Sequence, residues 1–381
     1  MKFVIAPDSF KGSLTAKEVA EAIRTGLQRV FPEADYEMVP MADGGEGTVQ
    51  SLVDATDGHL VKKQVHNPLN QLCEAYYGIL GDGKTAVIEM AQASGIQYVN
   101  EQTHNPLITT TYGTGELMLD ALDHHVEKII LGIGGSATND GGAGMAQALG
   151  AKLLDASDQE VSFGGGALDH LDHIDVSDID PRIKTTQVLI ASDVTNPLTG
   201  KDGASAVFGP QKGATPEMVQ TLDQNLHHYA EVIKRDLHKD LEMQPGAGAA
   251  GGLGTGLMAF TNSEMARGID LVVEFTHLKD RAQQASFVFT GEGGIDFQTK
   301  FGKTPYGVAL ATKAVAPQAP VIVLAGNVGQ GIDELYGRDA MDAIFATPEG
   351  AKPLAKAIAD GPHDIAETAE NVGRLIRDLA H

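Results

Sequence analysis

The 381 residues carry 28 Lys plus Arg against 51 Asp plus Glu, a formal charge of −23, with 42% hydrophobic residues and one cysteine. That charge argues against a nucleic-acid or anionic-membrane binder, the lone cysteine excludes an intramolecular disulfide framework, and the hydrophobic fraction is too high for a disordered acidic chain. The anomaly is glycine, 45 of 381 residues against an average of ~7%, with no collagen-like period.

In chain order, Lys2–Ala6 reads as a buried strand, and residues 7–14 form a loop with Asp8, Ser9, Lys11, Gly12 and Ser13. Thr15 and Glu18 make a capping box for a helix carrying Val19, Ile23, Leu27 and Val30, and Pro32 follows its end. A second strand, Tyr36–Met41, runs into Asp43-Gly44-Gly45-Glu46-Gly47 and a helix through Val49, Leu52 and Val53. Two strand–loop–helix units within sixty residues are the rhythm of an α/β domain.

Ala75–Leu80 and Thr85–Met90 are predicted to pair around Gly81-Asp82-Gly83. A helix near 114–125, capped by Thr114, precedes a strand over Lys128–Leu131 and the loop 132–142. A helix through Met145, Ala148 and Leu149 follows, and residues 155–180 read as an exposed acidic excursion. Val188–Ala191 is a strand ending in Ser192-Asp193-Val194-Thr195-Asn196-Pro197. Thr215-Pro216 opens a long helix, and the Gly/Ala run 245–256 is a packed turn or hinge. Further strands at 287–290, 320–324 and 343–346 precede a C-terminal helix over 365–379. A length of 381 residues favours two domains. The short apolar run near Met1 is unlike a secretory signal, and no run approaches the ~20 apolar residues of a membrane helix. A cytoplasmic protein with no membrane partner is the expectation, and Cys73 is a packed or surface thiol.

Most predicted strands end in loops that combine Gly with Asp, Glu, Asn, Ser, Thr or Lys. In open α/β sheets ligands bind outside the carboxyl ends of the strands. Gly132-x-Gly134-x-x-Ala137 fits the dinucleotide fingerprint, with Asp155 18 residues further on as a ribose acid. The same loop carries Ser136, Thr138, Asn139 and Asp140, groups suited to phosphate oxygens and a metal. A tight turn with no ligand is the plainer reading. Gly302-Lys303-Thr304 ends like a P-loop, but Phe297 stands where its first Gly belongs. Asp8, Asp43, Glu46, Asp140, Asp193, Glu292 and Asp296 all lie at or just beyond predicted strand ends. Each could hold Mg²⁺, accept a proton or merely cap a helix. Lys11, Lys212 and Lys303 stand beside loop glycines and suggest an anionic ligand. Oxygen ligands, backbone donors and a few lysines are what phosphoryl transfer needs. No zinc pattern and no nucleophile elbow is present.

The segments APDSFKGSLTAKEVA from Ala6, MADGGEGT from Met41, TTYGTGEL from Thr110, GIGGSATNDGGAGM from Gly132, ASDVTNPL from Ala191, VFGPQKGA from Val207, PGAGAAGGLG from Pro245 and GEGGIDFQTKFGKTPYGVA from Gly291 resemble the bacterial type 1 glycerate kinases. The resemblance runs over nearly the whole chain. It implies an ATP- and Mg²⁺-dependent kinase that converts (R)-glycerate to 2-phosphoglycerate, with 3-phosphoglycerate the less favoured product, in glyoxylate and sugar-acid breakdown. It implies two α/β domains, one a discontinuous Rossmann-like domain (1–65 plus 280–381), the other inserted (66–279), with the active site in the cleft between them.

On the loops that match the family, residue chemistry suggests the roles. Asp193 is the expected base for the glycerate hydroxyl, with Asn196 beside it, and Lys11 the second catalytic group. Asp8, Ser9, Asn196 and Lys212 are expected to bind substrate. Gly134, Gly135, Ser136, Thr138, Asn139 and Lys303 are expected to bind nucleotide. Asp43, Glu46, Asp140 and Asp296 are the expected metal ligands. Two alternatives stay open: an NAD-dependent oxidoreductase of a small hydroxy acid, and a non-catalytic sugar-acid-binding protein. A monomer and a homodimer fit the sequence equally.

Overall fold

A computed structural model describes residues 1–379. The chain divides into two compact units, Met1–Gly58 with Arg267–His381, and His59–Ala266. Both boundaries fall earlier than the sequence suggests. His59–His66 pairs along its whole length with Leu72–Ile79, which ties it to the second unit. The helix Gly268–Phe275 packs on the helix Thr304–Val315, and a Cβ on Gly268 would lie 1.9 Å from the Asp43 carbonyl, which ties it to the first.

The first unit holds a five-stranded, wholly parallel sheet in the order Ala343–Ala346, Val321–Ala325, Phe287–Glu292, Lys2–Ile5, Asp35–Met38. Side chains alternate along a strand. Phe3, Ile5, Phe289, Ile322 and Leu324 therefore enter one core with Val19, Ile23 and Leu27 of the helix Ala16–Gln28 and Ile365, Ala369 and Val372 of the helix Leu354–Leu379. Phe3 anchors it, its ring centroid 5.3 Å from Phe31 and 5.5 Å from Tyr36, and truncating so buried an aromatic costs about 3–5 kcal/mol. The two helices touch so closely that a Cβ on Gly26 would lie 2.0 Å from the Ala366 carbonyl. Counted within the unit, the order is 2-1-3-4-5. The chain leaves Lys2–Ile5 toward one edge and later returns on its other side at Phe287–Glu292. That reversal is a topological switch point, where a doubly wound sheet opens a crevice at its carboxyl ends.

The second unit has a six-stranded sheet whose strands lie side by side in chain order, except that Lys152–Leu154 and His173–Asp175 leave it to form a separate pair. Thr85–Glu89, Lys128–Gly132, Gln187–Ala191 and Asn262–Ala266 are parallel, while Leu72–Ile79 and His59–His66 extend it antiparallel. Neither edge strand is apparent in the sequence, because HLVKKQVH and NSEMA are largely polar and sit at sheet edges with little to bury. The segment 155–180 is not an exposed excursion. Val161, Leu168, Leu171, Ile174 and Ile179 are buried in the core, and His173–Asp175 pairs with Lys152–Leu154. Its Asp and His residues face water while every few residues one aliphatic side chain turns inward. Among the described residues no helix is long and apolar enough to cross a membrane.

Candidate active site

In the first unit, the loops after Lys2–Ile5 and Phe287–Glu292 flank the switch point. The first loop is pinned to the second strand by Asp8 N–H donating to the Gly291 carbonyl (2.8 Å). Asp8 is 5% exposed and Glu292 8% exposed. Asp8 Oδ1 accepts from the Ser9 N–H (2.6 Å) and hydroxyl (3.2 Å), and Oδ2 from the Thr304 hydroxyl (2.5 Å). Burial, with Asp43 nearby, still pushes Asp8 up to about 6. Glu292 Oε1 accepts from Thr299 Oγ1 and Lys303 Nζ, both at 3.4 Å. Burial pushes Glu292 up to about 7 against the pull of Lys303, and Asp8 adds to the rise. Two neighbouring buried carboxyls that titrate near neutrality are a functional-site signature.

Thr304 opens the helix Thr304–Val315, with Pro305 in its first turn. Lys303 contacts Glu292 and the Gly294 carbonyl (3.3 Å), within the first unit. Ser9, Lys11, Thr15, Glu46 and Ser51 line a cavity of about 280 Å³, room for a small hydroxy acid. Gly293 stands over this loop, since a Cβ there would lie 3.5 Å from Phe10 Cα and 3.6 Å from Lys11 N.

Of the expected metal ligands, Asp43 is the one whose chemistry fits. Its Oδ1 accepts from the Gly45 N–H (3.0 Å), its side chain is partly exposed, and it stands near Asp8. Glu46, three residues on, is exposed at the small cavity. Asp296 instead caps the short helix Phe297–Phe301 by accepting from the Gln298 N–H (2.8 Å). Asp140 is fully buried in the second unit. It accepts from the Thr111 N–H (2.8 Å) and hydroxyl (2.9 Å), Gly142 N–H (3.1 Å) and Gly144 N–H (3.3 Å), so it ties the loop 132–142 together. Among the described residues no three acids or His/Cys groups gather as a metal cluster. Mg²⁺ does not require one, because it commonly takes one or two carboxylates with substrate phosphates and water.

In the second unit, Gly134, Gly135, Ser136, Ile96, Ile133, Val194, Phe208, Gln211, Lys212 and Ala250 line a cavity of about 380 Å³. One wall is apolar and the other is exposed backbone at Gly134 and Gly135, which suits a flat base and an anion. Lys212 is 2% exposed. It donates to Ser136 Oγ (2.7 Å) and the Thr138 carbonyl (2.6 Å), leaving one of its three N–H donors for a ligand. Burial lowers Lys212 to about 7, partly offset by Asp140. Within the second unit this lysine is held by the glycine loop.

Thr138 and Asn139 are buried beneath that loop. The Thr138 carbonyl holds Lys212, and Asn139 Nδ2 donates to Ser205 Oγ (2.9 Å), so they support the nucleotide candidates from behind. Gly251 explains the Gly/Ala run. Its φ of +69° disfavours a side chain, and a Cβ there would lie 2.0 Å from the Thr138 carbonyl. Asp193 is exposed on the loop after Gln187–Ala191. Asn196 Nδ2 donates to the Asp202 carbonyl (2.8 Å) and braces the same loop. The dinucleotide reading finds no support. The following helix, Ala143–Ala148, starts six residues past Ala137 and spans six residues, and Asp155 binds the Ser157 and Gln159 amides in an exposed turn.

The sequence places Glu292 among seven strand-end acids that could take a metal or a proton but does not single it out as a site residue, and it passes over Thr304, although a Thr before Pro at a helix start was an available signal. Ile96 and Phe208 left no signal, since apolar walls look like core.

The family model for the glycerate kinase family matches residues 3–377. The chain is 52% identical over 381 residues, all of both chains, to a glycerate kinase of Haemophilus influenzae. It is 50% identical over 376 residues to the glycerate 2-kinase of Escherichia coli, covering 99% of this chain and 98% of that one. A crystal structure described as that of a proposed glycerate kinase 2 from Salmonella typhimurium LT2 superposes with a TM-score of 0.91 at 49% identity, covering 99% of this chain and 98% of the other. The chain belongs to the glycerate kinase family and is a kinase.

Proposed function

We propose that the chain transfers the γ-phosphoryl group of cytoplasmic ATP, with Mg²⁺, to the 2-hydroxyl of (R)-glycerate, giving 2-phosphoglycerate and ADP in the breakdown of glyoxylate and sugar acids. The observation that carries this reading is the second unit's cavity, in which a buried Lys212 with a free donor faces a glycine loop. The name of the Escherichia coli relative supports the 2-position. The adenine packs on Ile96, Ile133 and Phe208, and the phosphates take the backbone of Gly134 and Gly135, Ser136 and Lys212. An arriving phosphate raises the Lys212 pKa, so binding and protonation reinforce each other.

Glycerate takes the small cavity of the first unit, its carboxylate on Lys11 and its hydroxyls on Ser9, which Asp8 holds from behind. Asp43, with Glu46 close by in sequence, would hold Mg²⁺, which neutralises phosphate charge when bound. Asp193 orients the transferring groups as an exposed carboxylate. The test is ADP release in a coupled assay. Saturable, (R)-glycerate-dependent release is expected, with no saturable NAD binding by cofactor fluorescence. Glycerate binding without ADP release would instead establish a non-catalytic binder, and turnover confined to another hydroxy acid would overturn the substrate.

A further inference from the structure

Phosphoryl transfer to a hydroxyl must dispose of one proton, and the two carboxyls at the switch point differ in their capacity to take it. Both oxygens of Asp8 are already engaged, by Ser9 and by Thr304. Glu292 Oε1 has two long contacts at 3.4 Å, and Oε2 accepts no hydrogen bond from the described residues. Glu292 also ends the central strand directly before Gly293, which stands against the backbone of Phe10 and Lys11, so it borders the loop that lines the small cavity. We propose that Glu292 is the catalytic base, its free Oε2 accepting the proton of the substrate hydroxyl. This rests on the phosphoryl-transfer reading above and moves the role away from Asp193, whose exposed carboxylate has water to compete with any substrate.

In the step, the hydroxyl O–H bond breaks and its proton passes to Glu292 Oε2. The oxygen forms a bond to the γ-phosphorus. The bond from that phosphorus to the β,γ-bridging oxygen breaks, and ADP leaves with the electron pair. Glu292 then returns its proton to solvent. The charged groups that act on Glu292 are Lys303, which favours its carboxylate, and Asp8 and Asp43, which oppose it, while Lys11 acts on Asp8. Its position near neutrality suits a base that must both accept and release a proton.

The test is the pH dependence of kcat in the wild type, Glu292→Gln and Lys303→Gln, with folding checked by thermal melting. In the wild type, kcat should rise through an acidic limb near pH 7. Glu292→Gln should lower kcat by about 10²-fold or more, change the glycerate KM less than about threefold, and abolish that limb. Lys303→Gln removes the cation that favours the carboxylate, so its limb should move to higher pH. A Glu292→Gln enzyme with wild-type kcat and an unmoved limb overturns the assignment, as does a Lys303→Gln limb that stays in place. Absence of glycerate turnover in the wild type would instead sink the phosphoryl-transfer reading itself.

Discussion

A buried carboxylate that serves chemistry should cost the fold stability, and Glu292 gives that cost a size. Its pKa lies at about 7 in the folded chain against a reference value of 4.5. The difference, about 2.5 units at ~1.4 kcal/mol each, amounts to roughly 3 kcal/mol. The folded state holds this proton more tightly than the unfolded state does. Its contribution is therefore most favourable below pH 4.5, declines as pH rises toward 7, and is fully unfavourable above that. Glutamine cannot ionise and nearly matches the shape. Glu292→Gln should thus be more stable than wild type by about 2–3 kcal/mol at pH 8 and nearly equal to it at pH 4.5. Urea unfolding at the two pH values measures this as a shift in midpoint at constant slope. A variant less stable than wild type at pH 8, or equally stabilised at both pH values, would refute the burial argument for this residue.

Other residues make separate predictions. Asp140→Ala leaves four buried donors without an acceptor and should destabilise the second unit by about 3 kcal/mol or more, read by urea unfolding. Lys212→Met removes a buried ammonium and should raise the ATP KM by about tenfold or more without loss of thermal stability. Steady-state kinetics with ATP varied would show it, and an unchanged ATP KM would remove Lys212 from the nucleotide site. Lys11→Ala should raise the glycerate KM by about tenfold with little effect on the ATP KM, and an inert variant would remove Lys11 from the substrate cavity.

Much of this was legible in the residues. The apolar run after Lys2, the capping box Thr15/Glu18 and the glycine loops after strands predict an α/β architecture, because local propensity and sheet burial agree there. The capping box forms as expected, with Thr15 N–H donating to Glu18 Oε2 (2.8 Å) and Glu18 N–H to Thr15 Oγ1 (3.2 Å). What the sequence hides is partnership over distance. Asp8 and Thr304 lie 296 residues apart and meet at 2.5 Å, and Lys212 reaches Thr138 across 74 residues. A loop aspartate that caps, such as Asp296, and one that stays partly exposed, such as Asp43, look alike in sequence. Only the donors around each carboxylate separate a brace, as at Asp140, from a group with an oxygen to offer, as at Glu292.

The central claim is the reaction, and ³¹P NMR of the enzyme with ATP, Mg²⁺ and (R)-glycerate tests it most directly. Loss of the γ-phosphate resonance should be matched by growth of one phosphomonoester signal that coincides with added 2-phosphoglycerate. A signal at the 3-phosphoglycerate position would contradict the assigned hydroxyl, and an unchanged spectrum would contradict the claim as a whole.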